Sequence, residues 1–258
     1  MNQEERRRYL IRELQNEMPQ YKDYTIPEGE MEQWRLLRSL LNVRPPYPAS
    51  KEFLKVQDAY LTELIRQRGI IDARDLPASG SDPHITLWQG DITRLRCDAI
   101  VNAANSALLG CWQPCHSCID NMIHSLSGVQ LRIKCNEIMQ AQGHAEETGG
   151  AKITPAYNLP CRYVLHTVGP VVSGSLRKRD CELLASCYRS CLELAASYGV
   201  RSIAFCCIST GVFCFPQEKA AQIATETVTS FLEKESPIQQ VIFNVFTDRD
   251  LAIYQSLL

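Results

Sequence analysis

No apolar run in this sequence approaches the roughly 18 residues that a membrane-crossing helix needs. The opening stretch, Met1 to Leu10, carries charges where an export signal has its apolar segment. Neither sign of charge dominates, since 27 Lys and Arg stand against 29 Asp and Glu for a formal net charge of -2. A chain so balanced is not a general coater of nucleic acid. Neither Gly-x-Gly-x-x-Gly nor Gly-x-x-x-x-Gly-Lys-Ser/Thr occurs, which excludes the two commonest nucleotide-binding fingerprints. Internal repeats and low-complexity tracts are also missing. These absences predict a cytosolic protein whose partners include neither membrane nor nucleic acid.

Cysteine, by contrast, is plentiful, with 12 in 258 residues. In a reducing compartment thiols stay unpaired, and most are then small buried hydrophobes. Cys206 and Cys207, in the apolar run 202–209, fit that role, as do Cys187 and Cys191, one helical turn apart. Cys111, Cys115 and Cys118 differ because they crowd around His116. The remaining composition, 45% apolar and 22% charged, is that of an ordinary globular protein. The length suits one large domain, or a domain with an appendage.

The pattern changes near residue 80. Residues 1–80 read as a helical extension. Leu10, Ile11 and Leu14 share one helix face, and Trp34, Leu37 and Leu41 another. Pro45, Pro46 and Pro48 interrupt, and Ser50 is placed to cap a third helix carrying Phe53, Val56, Tyr60 and Leu61. Residues 75–83 read as a linker. The second unit, 81–258, alternates strand-like runs (84–89, 98–104, 162–168, 202–209, 240–246) with helical stretches (118–141, 178–198, 217–233, 249–258). That alternation predicts an α/β fold whose mostly parallel sheet has helices on both faces.

Such sheets bind ligands beyond the carboxyl ends of their strands. Three segments fall there. Gln89-Gly90-Asp91-Ile92-Thr93 is a turn with a carboxylate, and Asn102-Ala103-Ala104-Asn105-Ser106 offers two amides among small residues. Ser209 to Pro216 joins a strand to a helix through Gly211, so inward amides and a helix N-terminus favour a diphosphate. Phe213 and Phe215 suit either a sugar wall or the core.

Five stretches, GDIT (90–93), DAIVNAAN (98–105), TGGAKIT (148–154), YVLHTVGP (163–170) and STGVFCFP (209–216), occur in this order and resemble the motifs of macrodomains, the ADP-ribose-binding family. The resemblance implies a three-layer α/β/α sandwich around a mixed, mostly parallel sheet. It implies that Asp91 holds the adenine amino group with the Ile92 amide nearby, and that Asn102 and Asn105 line the distal ribose. It also implies that Ser209, Thr210, Gly211, Val212, Phe213 and Phe215 wrap the diphosphate. The glycine-rich run of the hydrolase branch is replaced by residues 109–118, while Ile119-Asp120-Asn121 with Ile123-His124 still matches the helix start. Asp120 therefore takes the place of the catalytic acid. The substituted segment, together with a helical extension, is similar to the zinc-containing macrodomains of bacteria and fungi.

Three thiols and one imidazole lie between Cys111 and Cys118, and thiolate and imidazole are the ligands zinc prefers. No second Cys-x-x-Cys knuckle occurs, so three protein ligands and one open position are expected. The resemblance selects Cys111, His116 and Cys118 for one zinc ion per chain, whereas spacing alone leaves Cys115 open. His124 is expected to pack, or to bond within its helix, on the face of Asp120. His166 reads as a satisfied core residue and His144 as a loop residue.

The activity so implied is hydrolysis of a single ADP-ribose from a modified protein side chain, Asp or Glu in the zinc-type relatives. Asp120 would orient or deprotonate the water, Asn105 would fix the ribose, and the zinc would either polarise the sugar or activate the water. Alternatives are a reader that binds ADP-ribose without cleaving it, an O-acetyl-ADP-ribose deacetylase, and a thiol redox switch. Zinc macrodomains are also associated with a sirtuin-type ADP-ribosyltransferase and a lipoyl-carrier protein related to that of glycine cleavage.

Overall fold

A computed structural model describes residues 1–80 and 82–258. The boundary expected between the two units falls at Ser81, outside the described residues.

The extension is three helices, α1 (Gln3–Glu17), α2 (Glu30–Val43) and α3 (Lys51–Gln67). Local chemistry sets their starts. Asn2 and Glu5 form a reciprocal capping box on α1, and Ser50 accepts from the Phe53 N–H to cap α3. Their apolar faces meet in a core cluster around Leu10, Ile11, Leu14, Leu37, Phe53 and Leu61, which also takes in Val129 of the sheet domain. Arg44, wholly buried after α2, closes the bundle with a forked bond to Glu17 and further bonds to three backbone carbonyls.

The second unit contains strands β2 (Ile85–Gln89), β4 (Ala99–Ala104), β5 (Ala151–Pro155), β6 (Tyr163–Val168), β7 (Ser202–Phe205) and β8 (Gln240–Val245). They form one sheet in the order β2-β8-β7-β4-β6-β5, parallel throughout except for β5 against β6. Helices α4 (Ile119–Ser127), α5 (Val129–Gln142), α6 (Lys178–Ser197), α7 (Gln217–Leu232) and α8 (Asp248–Leu257) complete it. The expected mixed, mostly parallel α/β sheet with flanking helices is what forms. Because the strands run parallel, the loops after β2, β4, β6, β7 and β8 collect at one end. Among the described residues, no helix is long and apolar enough to cross a membrane.

Three details differ from the sequence reading. The single helical stretch 118–141 is two helices, broken at Gly128. That residue has φ +99°, and a Cβ there would sit 2.5 Å from the Gln57 amide of α3. Gln57 uses this close approach to accept from the Val129 N–H, docking the extension onto α5. Strand β7 stops at Phe205, four residues short of the expected run, because the chain turns into the loop that begins at Cys206. The edge strand β5 overlaps the stretch 148–154, which carries a motif but little alternation. A two-stranded parallel pair, β1 (Ile71–Asp72) with β3 (Leu95–Arg96), also ties the end of the extension to the sheet domain.

Candidate active site

Asp120 sits in the first turn of α4, directly beneath the end of β4, and is 5% exposed. Its two oxygens are held separately. Asn102 donates to Oδ1 at 2.8 Å and Asn105 to Oδ2 at 3.2 Å. Burial pushes the Asp120 carboxyl up to about 6, opposed by the Asn102 amide, the charge of Arg132 and the Asn105 amide. A carboxyl raised to about 6 is still mostly ionised at neutral pH and is more basic than an ordinary Asp, which suits it to taking a proton from water.

The two asparagines, both expected on the ribose, are placed differently. Asn105 is half-buried at the strand end, where it also donates to the Gly110 carbonyl and accepts from the Ala107 N–H. Asn102 is fully buried behind Asp120, because β4 is covered on that face by α4. Its amide nitrogen lies 2.8 Å from Asp120 and 3.2 Å from His166 Nδ1. It therefore orients the carboxylate from behind and offers no surface to a sugar.

His166 bonds Thr154 through its other nitrogen at 3.0 Å, the satisfied core histidine expected. His124 is buried with neither ring nitrogen hydrogen-bonded; Nε2 stands 3.6 Å from Asp120 Oδ1. Of the two roles expected for it, packing is the one observed. Burial holds both imidazoles below their ordinary range, so both are neutral at pH 7.

The segment 109–118 wraps the start of α4. The donor atoms of Cys111, His116 and Cys118 all lie within 4.8 Å of one another, with Cys111 Sγ 3.6 Å from His116 Nδ1. Two ligands on one tetrahedral zinc stand roughly 3.5–3.8 Å apart, so this donor set fits the ion. Cys115, left open by its spacing, has φ +53° and faces α2, with Sγ 3.2 Å from Ser39 Oγ and donating to the Arg35 carbonyl. Cys118 also caps α4, accepting from the Asn121 N–H at 3.4 Å. Burial pushes its thiol up to about 12, so a bound cation would displace a proton there. Arg132 of α5 braces the segment, donating to the Leu109 carbonyl and lying 4.4 Å over the Trp112 ring.

The other loops form a rim. Asp91 Oδ1 caps the turn 92–94 by accepting from Thr93, and Oδ2 pairs with Arg68 of the extension at 2.6 Å. Ile92, behind it, is buried. The loop after β7 folds back on itself, with Phe215 N–H donating to the Ser209 carbonyl and Cys214 N–H to the Gly211 carbonyl. Thr210 and Phe213 are half-buried, while Gly211 and Val212 face solvent. Phe215 is in the core, 2% exposed, and is not part of the loop's ligand face. Ser209 has φ +65°, and its buried hydroxyl has no partner. Gly169 allows that approach, since a Cβ there would fall 2.1 Å from Ser209 Oγ. The sequence reading missed Phe246, which is 75% exposed just past β8 and beside Gly90, whose N–H donates to the Val245 carbonyl. It closed a strand-like run, so an aromatic side chain there read as strand.

A family model described as "Macro domain" matches residues 101–224. A protein of Treponema medium named "Protein-ADP-ribose hydrolase" is 59% identical over 260 residues, spanning 100% of both chains. A Staphylococcus aureus protein of the same name is 50% identical, covering 96% of this chain and 92% of that one. Among solved structures, a Trypanosoma brucei macrodomain in complex with ADP-ribose is similar, with a TM-score of 0.67 and 31% identity. That match covers 90% of this chain and 96% of the other.

Proposed function

Because this chain belongs to the macrodomain family, we propose that it is a zinc-dependent hydrolase removing single ADP-ribose units from protein Asp or Glu side chains. The observation that carries the reading is the adjacency of a buried carboxyl, Asp120, to a three-donor loop that ends two residues before it. Whole-length similarity to two proteins named for this activity supports the hydrolase assignment.

Cys111, His116 and Cys118 would hold one zinc ion. There the ion would supply Lewis acidity, either to a hydroxyl of the distal ribose or to a water. Asp120, oriented by Asn102 and Asn105, takes a proton from the water as it attacks the anomeric carbon, and the substrate's side-chain carboxylate leaves. Asn105, at the strand end, fixes the ribose. The exposed amides of Gly211 and Val212, backed by the N-terminus of α7, bind the diphosphate and orient the far end of the substrate. Asp91 accepts from the adenine amino group with Phe246 against the ring. The enzyme would work in the cytosol, consistent with twelve unpaired cysteines. A sirtuin-type ADP-ribosyltransferase and a modified lipoyl-carrier protein are its proposed partners.

The test is release of ADP-ribose from an Asp/Glu-linked mono-ADP-ribosylated protein, with and without a strong zinc chelator. Release abolished by the chelator, with the fold retained by circular dichroism, is expected. Tight ADP-ribose binding with no release would instead make the protein a reader. At the adenine end, Phe246→Ala is expected to weaken ADP-ribose binding about tenfold in calorimetry, since stacking a base contributes about 1–3 kcal/mol. Asp91→Ala should weaken it comparably, and unchanged binding in either variant removes that residue from the adenine site.

A further inference from the structure

The donor loop does not stand on the sheet domain alone. Arg38, on α2 of the extension, reaches across to it. Its Nη2 donates to the His116 carbonyl at 2.5 Å and to Asn121 Oδ1 at 2.6 Å, and its Nε donates to the same Asn121 oxygen at 3.2 Å. Asn121 is fully buried and passes this hold onward. Its side-chain amide donates to the Cys111 carbonyl at 3.4 Å and to the Gln113 carbonyl at 2.9 Å, and its backbone N–H points at Cys118 Sγ. One guanidinium, directly or through one asparagine, thus touches the backbone or sulfur of all three donor residues.

The neighbouring turn of α2 adds a second anchor. Asn42 accepts from the Cys115 N–H at 2.9 Å and donates to Ser125 of α4 at 2.9 Å. These bonds hold Cys115 in its left-handed conformation, with its thiol turned toward α2.

We propose that Arg38, although it lies in the helical extension, is a positioning residue for the metal-binding loop and sets how firmly the loop holds its ion. The proposal rests on the reading of Cys111, His116 and Cys118 as the zinc donors. The physical reason is geometric. Three donors on a loop with a glycine at one end must be held against rotation to keep an ion, and groups bonded behind the ligands supply that hold. A guanidinium is suited to the task because its planar fork bonds two acceptors at fixed angles. The positive charge beside the loop also offsets the negative charge that the thiols acquire when they bind metal.

The test uses the full chain loaded with zinc and challenged with an excess of a chromophoric chelator, with thermal melting on the same samples. Arg38→Met is expected to lose zinc about 10–100-fold faster than the parent. Arg38→Lys should fall between them, because an ammonium cannot span both acceptors. Gln57→Ala loosens the docking of the extension at a different point and should release zinc at the parental rate. In the cobalt-loaded protein, the thiolate-to-metal absorption band should shift in Arg38→Met and stay unchanged in Gln57→Ala.

Parental zinc retention in Arg38→Met overturns the proposal. So does equally fast loss from Gln57→Ala, which would reduce Arg38 to general glue. Should Arg38→Met fail to fold, Arg38→Lys decides by the same comparison. A parent chain that binds no zinc, or a Cys118→Ala chain that keeps it, refutes the donor set itself and the role of Arg38 with it. A zinc-holding parent with an indifferent Arg38→Met refutes the role of Arg38 alone.

Discussion

Asp120→Ala is expected to lower the rate of ADP-ribose release about a thousandfold, within the range spanned by loss of a general base, while ADP-ribose affinity changes no more than about threefold. The asymmetry follows from where the carboxyl sits. It is 5% exposed and held from behind by Asn102 and from the side by Asn105, so little of it faces a bound sugar. Its work is confined to the proton it takes in the transition state, and removing such an interaction lowers kcat rather than raising KM. The substitution also strands an N–H of the fully buried Asn102 amide, at a cost of about 1–3 kcal/mol. Melting temperature must therefore be followed beside turnover. Single-turnover release and calorimetry with free ADP-ribose are the decisive pair, and an equal loss in both would make Asp120 a binding residue.

The second large effect is expected at the donor loop. Cys111→Ala, His116→Ala and Cys118→Ala should each lose the metal and at least about a hundredfold in turnover, since removing a ligand costs no less than removing a group that orients one. Cys118 offers a built-in control. Its sulfur caps α4 as well as belonging to the donor cluster, so Cys118→Ala removes both functions at once. Serine is a better helix cap than cysteine but a poor zinc ligand. Cys118→Ser should therefore melt higher than Cys118→Ala yet remain as empty of zinc and as slow. Metal content by elemental analysis, set against activity, reads this directly. Full zinc and full rate in any of the three alanine variants would remove that residue from the set.

The parts of the molecule that were legible in the sequence are those written in short-range chemistry. The alternation of apolar runs with helical periods gave the mostly parallel sheet, because strands covered on both faces must be apolar throughout. Ser50 announced α3 through its cap. The crowding of Cys111, His116 and Cys118 within one loop announced a cluster before its distances were known. What could not be read depended on contacts between distant segments. Nothing near Asn102 says that α4 will bury it, so a residue expected to face the sugar stands behind Asp120 instead. Gly128 breaks a continuous helical pattern only because Gln57, some 70 residues earlier, packs against it. Arg38 lies among the apolar positions of α2 with no local mark of its partner, Asn121, 83 residues away. Phe246 is indistinguishable from a strand residue until the strand is seen to end at Val245.

The core cluster of the three-helix extension, drawn almost wholly from its own helices, bears on the order in which the protein is built. Its helices follow one another closely in sequence and meet through neighbouring turns, the kind of contact that forms quickly. During synthesis this bundle leaves the ribosome before the loop 109–118 exists, and domains made first generally fold first. The cysteine-rich loop therefore emerges beside a surface that already presents Arg38 and Asn42. Its three thiols then spend less time unrestrained in the nascent chain, where wrong metals and oxidants compete for them. On that order of events, the N-terminal helices serve as an internal template for the cysteine-rich loop.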